Sequence, residues 1–363
     1  MKKKFLRLTL QLILFLSLLE LGLMLINNIG LVEFERPLYS FENSSKYWIE
    51  IDSTFGIWRT PQNTFRHRKT CFDVYYETNS LGARDIERNK KSQGERVVVI
   101  GDSFSEGWGV NLDERFSNIL ERATGLEFLN FGIASTGMTQ QYFIYENKAK
   151  KFEHNAILWV IFPSNDIVED DIVLHKLYSS DRYRAYWVGS YPNYHLEHGL
   201  DSLSQSAYYK RRRNRVKFIL GNFTYTYNAL KWIKNNYQYS KAPVNNGTIT
   251  SGYFKFTNEQ WLRIKFNIEK MIEILECKKL YIVTVPSEHD LNIFTNDNFK
   301  PILTDSLRNL SKKLNFRYLD LLTQGGDYSD WLSLYYDQNC DNHWNEKGHA
   351  KAAKKIKSEF FNY

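Results

Sequence analysis

Apolar and polar residues along the chain fall into blocks that predict one long apolar helix, then a polar stretch, then short strands alternating with amphipathic helices. The first block, residues 8–26, is almost wholly apolar and close to the ~20 residues a helix needs to cross a bilayer core. Residues 31–94 are polar and aromatic, with turn signals at Pro61-Gln62-Asn63 and Asn79-Ser80-Leu81-Gly82 and one alternating stretch at 72–76. A β-branched run at 96–100 then closes on Gly101, the pattern of a strand buried on both faces. Runs of this kind recur at 126–131, 156–162, 280–285 and 316–321, with helical patterns between them at 114–123 and 259–276 and a last one at 346–360. Strands alternating with helices predict an α/β fold on a mainly parallel, five-stranded sheet. The gap between the third and fourth strands is too long for one crossover, so about 170–257 reads as an insertion, rich in Tyr and basic residues and partly helical. It is either a lid over the site or a decoration that adds surface. The organisation expected is a tail at 1–7, a membrane anchor at 8–28, an extension at 29–94, and a main domain at 95–363 interrupted by that insertion.

Charge refines the first block. Lys2, Lys3, Lys4 and Arg7 precede the apolar stretch, and Asn27-Asn28-Ile29-Gly30 after it offers no small-x-small cleavage signature, which favours an uncleaved anchor over a signal peptide. Positive flanks stay in the cytoplasm, so the bulk of the chain is expected outside it, in a bacterium on the periplasmic face of the inner membrane or at the cell surface. Glu20 lies inside the span, where an ionised carboxylate is expensive; protonation, a distorted interface, or pairing with a second membrane protein are the readings open to it. The net charge of +7 is spread along the 363 residues without a nucleic-acid motif, and nucleic acid is not expected as a partner. The densest basic run, from Lys210 to Arg215, reads as a solvated helix face or a contact with anionic lipid. With 43% hydrophobic and 25% charged residues the composition is globular. Of the three cysteines, Cys71 and Cys340 could pair if the chain faces an oxidising space, a pairing the sequence leaves open, and Cys277 reads as a buried small hydrophobe.

The candidate chemistry sits at strand ends. Gly101-Asp102-Ser103-Phe104-Ser105-Glu106-Gly107 follows the first core strand and opens a helix, which puts Ser103 at the carboxyl edge of the sheet with its N–H near a helix N-terminus. By itself a Gly-Asp-Ser turn is more often a helix cap than a nucleophile. Further along, Asn130 to Gly137 follows the second strand, Pro163-Ser164-Asn165-Asp166 the third, and Asp341-Asn342-His343-Trp344 precedes the last helix. A serine hydroxyl needs a base at neutral pH, and an imidazole at His343 fits that need. Asp341 would fix the tautomer of the imidazole and stabilise its charged form, with Asp337 as the reserve for that role. His349, one turn on, reads as a packing residue, and a metal site from Asp341, His343 and His349 lacks the ligand pattern of a known zinc site.

These four segments, in this order, resemble the blocks of the SGNH (GDSL-like) hydrolase family. The resemblance covers about 96–170 and 252–363, and it implies a three-layer α/β/α, flavodoxin-like fold. It also implies that Ser103 is a nucleophile, that His343 and Asp341 activate it, and that the oxyanion is held by Ser103, Asn165 and either Ser135 or Gly137, the second block carrying serine where many relatives have glycine. The third block departs from G-x-N-D at Ser164, and the last is D-x-H-W where D-x-x-H is commonest, a form similar to that of some envelope proteins and of alginate-type O-acetyltransferases. The expected activity is an esterase acting through an acyl-enzyme on ester-linked groups, O-acetyl foremost, of envelope glycans or lipids, with no cofactor and no metal. An O-acyltransferase with the same triad, a lipase for long acyl chains, and a catalytically silent scaffold or glycan-binding module are the alternatives.

Overall fold

A computed structural model of the chain describes residues 2–39, 49–69, 71–92, 94–174, 183–199, 215–241, 252–276, 278–296, 299–324, 333–336 and 340–362. Cys277, the reserve acid Asp337 and the basic run from Lys210 to Asn214 lie outside the described residues. The chain opens with helix α1 (Lys2–Asn28), long and apolar enough to cross a membrane. The extension forms two antiparallel hairpins, β1 (Ile49–Asp52) with β2 (Gly56–Arg59) and β3 (Thr64–Arg68) with β4 (Asp73–Glu77). On β4 exposed and buried positions alternate, so Val74 and Tyr76 face inward beside Phe72.

The main domain follows: β5 (Arg96–Gly101), the short helix α2 (Ser103–Glu106), α3 (Phe116–Thr124), β6 (Glu127–Asn130), α4 (Met138–Asn147), β7 (Ala156–Ile161) and α5 (Pro163–Glu169). The insertion holds the hairpin β8 (Ala185–Ser190) and β9 (Asn193–His198), then helices α6 (Arg215–Phe223) and α7 (Tyr225–Lys241). The domain resumes with α8 (Asn258–Ile274), β10 (Lys279–Thr284), α9 (Glu288–Asn296), α10 (Ile302–Leu314), β11 (Arg317–Asp320), α11 (Leu321–Gln324) and α12 (Glu346–Phe360). Five of these strands pair in parallel in the order β11-β10-β7-β5-β6. Every residue of β5 and of β7 is buried, which is why both read as unbroken apolar runs. Helices pack on the sheet in two layers, α3 against α12 and α4 against α8, so the fold is the three-layer α/β/α expected.

In strand order this is 2-1-3-4-5, with the direction of winding reversing between β5 and β7. Side chains at the carboxyl ends of those two strands therefore face a common crevice, the place where open α/β sheets hold ligands. Ser103 follows β5 and Asn165 follows β7.

The insertion does two things. Hairpin β8–β9 packs on α4, where Gln140 donates to the carbonyl of Ala185, and on α8, where Trp187 Nε1 donates to Asn267 Oδ1 at 3.0 Å. Helix α7 packs instead on α1.

Candidate active site

The nucleophile turn is built by its glycine and its aspartate. Gly101 has a φ of 151°, and a Cβ there would run into Ser105 and the Val160 carbonyl on β7, so only glycine lets β5 turn this tightly into α2. Asp102, fully buried, caps the helix by accepting from Phe104 N at 3.0 Å. This local order presents Ser103 Oγ to the loop before α12, where His343 Nε2 lies 2.7 Å away. On its other side His343 Nδ1 is 2.5 Å from Asp341 Oδ1, which also accepts from the His343 backbone N–H at 3.0 Å. With Nδ1 donating to the carboxylate, Nε2 is left free to accept from the serine hydroxyl, the polarity that proton abstraction requires. Two rings fix the imidazole plane: Trp108 stacks on it at 5.3 Å between centroids and Phe104 lies tilted at 5.0 Å.

Asp341 is more elaborately held than its motif suggests. Its second oxygen accepts from Lys69 Nζ at 2.6 Å and from Trp108 Nε1 at 3.0 Å. Burial pushes its carboxyl pKa up, but the His343 hydrogen bond and charge and the Lys69 ammonium outweigh that and hold it well below the ordinary carboxylate range. Lys69 also donates to the Cys340 carbonyl, and Cys340 forms a disulfide with Cys71. One short stretch of the extension thus both cross-links the Asp341 loop and neutralises its carboxylate. Next to it His67, with its pKa lowered to about 3 by burial and by Lys69, sits edge-on to Trp108 at 4.4 Å. Tyr76 Oη accepts from Gly109 N at 2.6 Å and is hydrogen-bonded to His67 Nδ1 at 3.0 Å, tying this wall together.

The loop after β6 carries the two candidates for the oxyanion. Ser135 is in the left-handed region, φ 65°, a conformation that favours glycine, and it is half-buried. Gly137 N donates to Gln140 Oε1 at 2.7 Å in the capping box of α4, so its N–H is already engaged. The loop is anchored by Glu106: this fully buried carboxylate accepts from Ala134 N at 2.7 Å and takes a bidentate hydrogen bond from Arg59 of β2, at 2.8 and 2.7 Å. Burial pushes Glu106 up, while Arg59 and the Ala134 N–H more than offset it and keep the carboxyl ionised. Arg84, also from the extension, donates to the carbonyls of Glu106, Gly107 and Val110 at the end of α2.

On the third side Asn165 is half-buried at the start of α5, with its side chain against Asp102. Behind it lie buried acids: burial pushes Asp102 and Asp170 up to about 7 and Asp166 well above its ordinary value. Ser164 faces away, donating to Asp290 Oδ2 at 2.9 Å. His349 packs flat on Phe116 and is held neutral by burial. Among the described residues no group of three or more His, Cys, Asp or Glu could hold a metal ion.

The structure therefore brings together Ser103, His343, Asp341, the Ser135 loop and Asn165, and leaves Gly137 committed elsewhere. Sequence reasoning gave no role to Lys69, Trp108, Arg59 or Glu106. A signal for Lys69 existed: it lies two residues before Cys71, whose candidate partner Cys340 precedes Asp341.

No family model and no curated protein matches the chain. Among solved structures it is similar to a member of the lipolytic protein G-D-S-L family from Veillonella parvula, at 14% identity over 74% of this chain and 100% of that one, with a TM-score of 0.37. It is similar also to a catalytic mutant of an acetylxylan esterase from Geobacillus stearothermophilus, at 11% identity over 76% of this chain and 98% of that one, again with a TM-score of 0.37. At these scores the likeness carries no weight for the chemistry, and the reading of the site rests on the chain's own geometry.

Proposed function

We propose that the chain is a membrane-tethered serine esterase of the SGNH type. The observation that carries this is the unbroken relay Ser103 Oγ, His343, Asp341, with contacts of 2.7 and 2.5 Å at the crevice between β5 and β7. Ser103 attacks an ester carbonyl while His343 takes its proton. His343 then returns the proton to the departing alkoxide, leaving an acyl-enzyme that water cleaves by the reverse sequence. Asp341 holds the imidazole in the useful tautomer and stabilises its charged form. The oxyanion is received by the N–H groups of Ser103 and Ser135 and by the Asn165 amide, which turns from Asp102 to the substrate. A sugar hydroxyl could replace water as acceptor without any change in these residues.

Two features support an outward-facing enzyme whose substrates are acyl esters of envelope glycans or lipids. The cations in the first turns of α1, ahead of its apolar stretch, favour a cytoplasmic N-terminus, and a Cys71–Cys340 disulfide suits an oxidising compartment. The site wall is aromatic and partly open at Trp108 and Phe162, suited to the faces of sugar rings or acyl chains.

The test is fluorophosphonate labelling of the full-length chain in detergent, followed by assays on acetylated glycans with and without acceptor sugars. Labelling is expected on Ser103 and is expected to vanish in Ser103→Ala and His343→Ala. Asn165→Ala should slow turnover by ~100-fold, the effect of losing one oxyanion donor worth ~3 kcal/mol. Wild-type labelling in His343→Ala, or none in the well-folded native chain, would overturn the esterase reading.

A further inference from the structure

Helices α6 and α7 expose a run of large apolar side chains that the site chemistry does not use. Val216 is 64% exposed, Leu230 61%, Ile233 54% and Tyr237 57%, and Ile219, Leu220 and Trp232 are also open. The spacing is helical: 216, 219 and 220 fall on one side of α6, and 230, 233 and 237 on one side of α7. Lys217, Lys231 and Lys234 punctuate these stripes, the composition of a helix pair resting at a membrane surface, with aromatic residues near the boundary and lysines that reach back to water.

What fixes the depth of this pair is Glu20 on α1. Its carboxylate accepts from Tyr225 N and, at 3.0 and 2.6 Å, from the Thr226 N–H and hydroxyl, so it caps the N-terminus of α7. The carboxylate thus finds its partner within the chain. Around it Phe34, Tyr225 and Ala229 form a small apolar cluster with Leu23 and Met24 of α1. Glu20 is six residues before Ile26, which places it ~9 Å inside the end of the apolar stretch at the helical rise. When α1 crosses a bilayer, the α6–α7 junction bonded to Glu20 is held among the acyl chains of the outer leaflet, ~9 Å or less below the headgroups. The exposed stripes on either side of the junction then meet lipid.

We propose that α6 and α7 form an interfacial helix pair seated in the outer leaflet of a phospholipid bilayer, docked there by the Glu20 cap. The occupant of the apolar face is lipid, argued from its continuity with a helix that spans the membrane and from the depth of the cap. The pair gives the domain a second point of attachment beside α1.

The experiment uses the purified full-length chain in vesicles of phosphatidylethanolamine and phosphatidylglycerol doped with a phospholipid bearing an acyl-chain diazirine. After illumination, adducts are mapped by mass spectrometry. Adducts are expected on residues 12–18 of α1 and also on 216–220 and 230–233. Adducts on α1 alone would overturn the proposal and leave the face to a protein partner; adducts on neither would overturn it together with the spanning role of α1. In Glu20→Ala, the yield on 216–233 is expected to fall about fivefold relative to α1, the weight of one lost helix cap. An unchanged ratio would refute Glu20 as the docking contact.

Discussion

Exchanging Glu106 for Gln changes one charge and almost no shape at the junction of the extension, the nucleophile helix and the oxyanion loop. Glu106 is fully buried, and its two oxygens serve three donors, Arg59 Nε, Arg59 Nη2 and Ala134 N, at 2.8, 2.7 and 2.7 Å. A glutamine supplies one acceptor and turns an NH2 toward a donor, so either Arg59 or Ala134 loses its partner. Arg59 is itself 5% exposed, and removing the carboxylate from a buried ion pair costs ~3–5 kcal/mol because its attraction no longer offsets the desolvation of the guanidinium. At ~2 °C per kcal/mol for a domain of this size, Glu106→Gln should lower the melting temperature by roughly 6–10 °C. The double variant Arg59→Leu/Glu106→Leu separates the two roles of the carboxylate. With both charges gone most of the stability should return, short of the ~1–3 kcal/mol for an unsatisfied Ala134 N–H. Activity should not return with it, because the loop that places the Ser135 N–H has lost its anchor, and displacements of ~1 Å at such donors cost on the order of 100-fold. Thermal melts and fluorophosphonate labelling rates on the same three proteins read both quantities. A stability loss under ~1 kcal/mol in the single variant, or labelling at the native rate in the double variant, would refute the reasoning.

Three further outcomes are expected. Lys69→Met should slow labelling about tenfold with the disulfide intact, since Lys69 is 37% exposed and its pair with Asp341 is discounted to ~1–2 kcal/mol, and an unchanged rate would remove Lys69 from the positioning of Asp341. Ser135→Gly should raise stability by ~0.5–1 kcal/mol and keep activity, because glycine adopts a φ of 65° without strain; Ser135→Val should lose both, and a fully active, stable valine variant would contradict the left-handed geometry. With Asp170 raised by burial to about 7, the folded chain binds a proton that the unfolded chain has released above ~pH 4, so the contribution of Asp170 to stability falls as pH rises from ~4 to ~7, against the opposite trend of His67 and His349, which burial keeps neutral; the stability deficit of Asp170→Asn relative to the native chain should therefore shrink from pH 5 to pH 8, and a deficit that grows would show the opposite sign.

The sheet was legible because burial on both faces leaves one kind of residue at every position. The run at 96–100, with the Gly101 that ends it, is β5, and the runs at 156–162 and 280–285 are β7 and β10 within one residue at each end. Ser103, His343 and Asp341 were legible because the turn after β5 and the turn before α12 have local signatures. The extension was not. Its strands are four or five residues long, and their polar side chains answer to partners far along the chain: Arg59 to Glu106, 47 residues on, and Lys69 to Asp341, 272 residues on. Nothing periodic marks such a residue, because its role is set by a distance in space. The choice between Ser135 and Gly137 stayed open for a related reason: neither residue type decides it, and only the folded backbone puts the serine in the left-handed conformation and spends the glycine's N–H on Gln140.

The placing of the three cations explains why a site built on a sheet edge recruits a segment outside the sheet. Strands β5 and β7 fix the backbone at Ser103 and Asn165, but Asp341 sits on a loop that leaves no strand of the sheet, and Ser135 lies beyond the last bond of its loop to β5, from Ile133 N to the Gly101 carbonyl. Each of those loops carries or touches a buried carboxylate, Asp341 in one case and Glu106 in the other, and a buried carboxylate needs a cation or several N–H donors to stay ionised. Lys69 and Arg59 supply that charge, and because each is held in a hairpin of the extension, the charge comes with a fixed position. Arg84 completes the set at the carbonyl end of α2. The domain stripped of residues 29–94 would keep every strand of its central sheet and every residue of its triad, yet leave two buried acids without their counter-charges and the Asp341 loop without its cross-link. The catalytic unit is therefore the sheet together with the extension, a division that the order of the family-like blocks along the chain does not reveal.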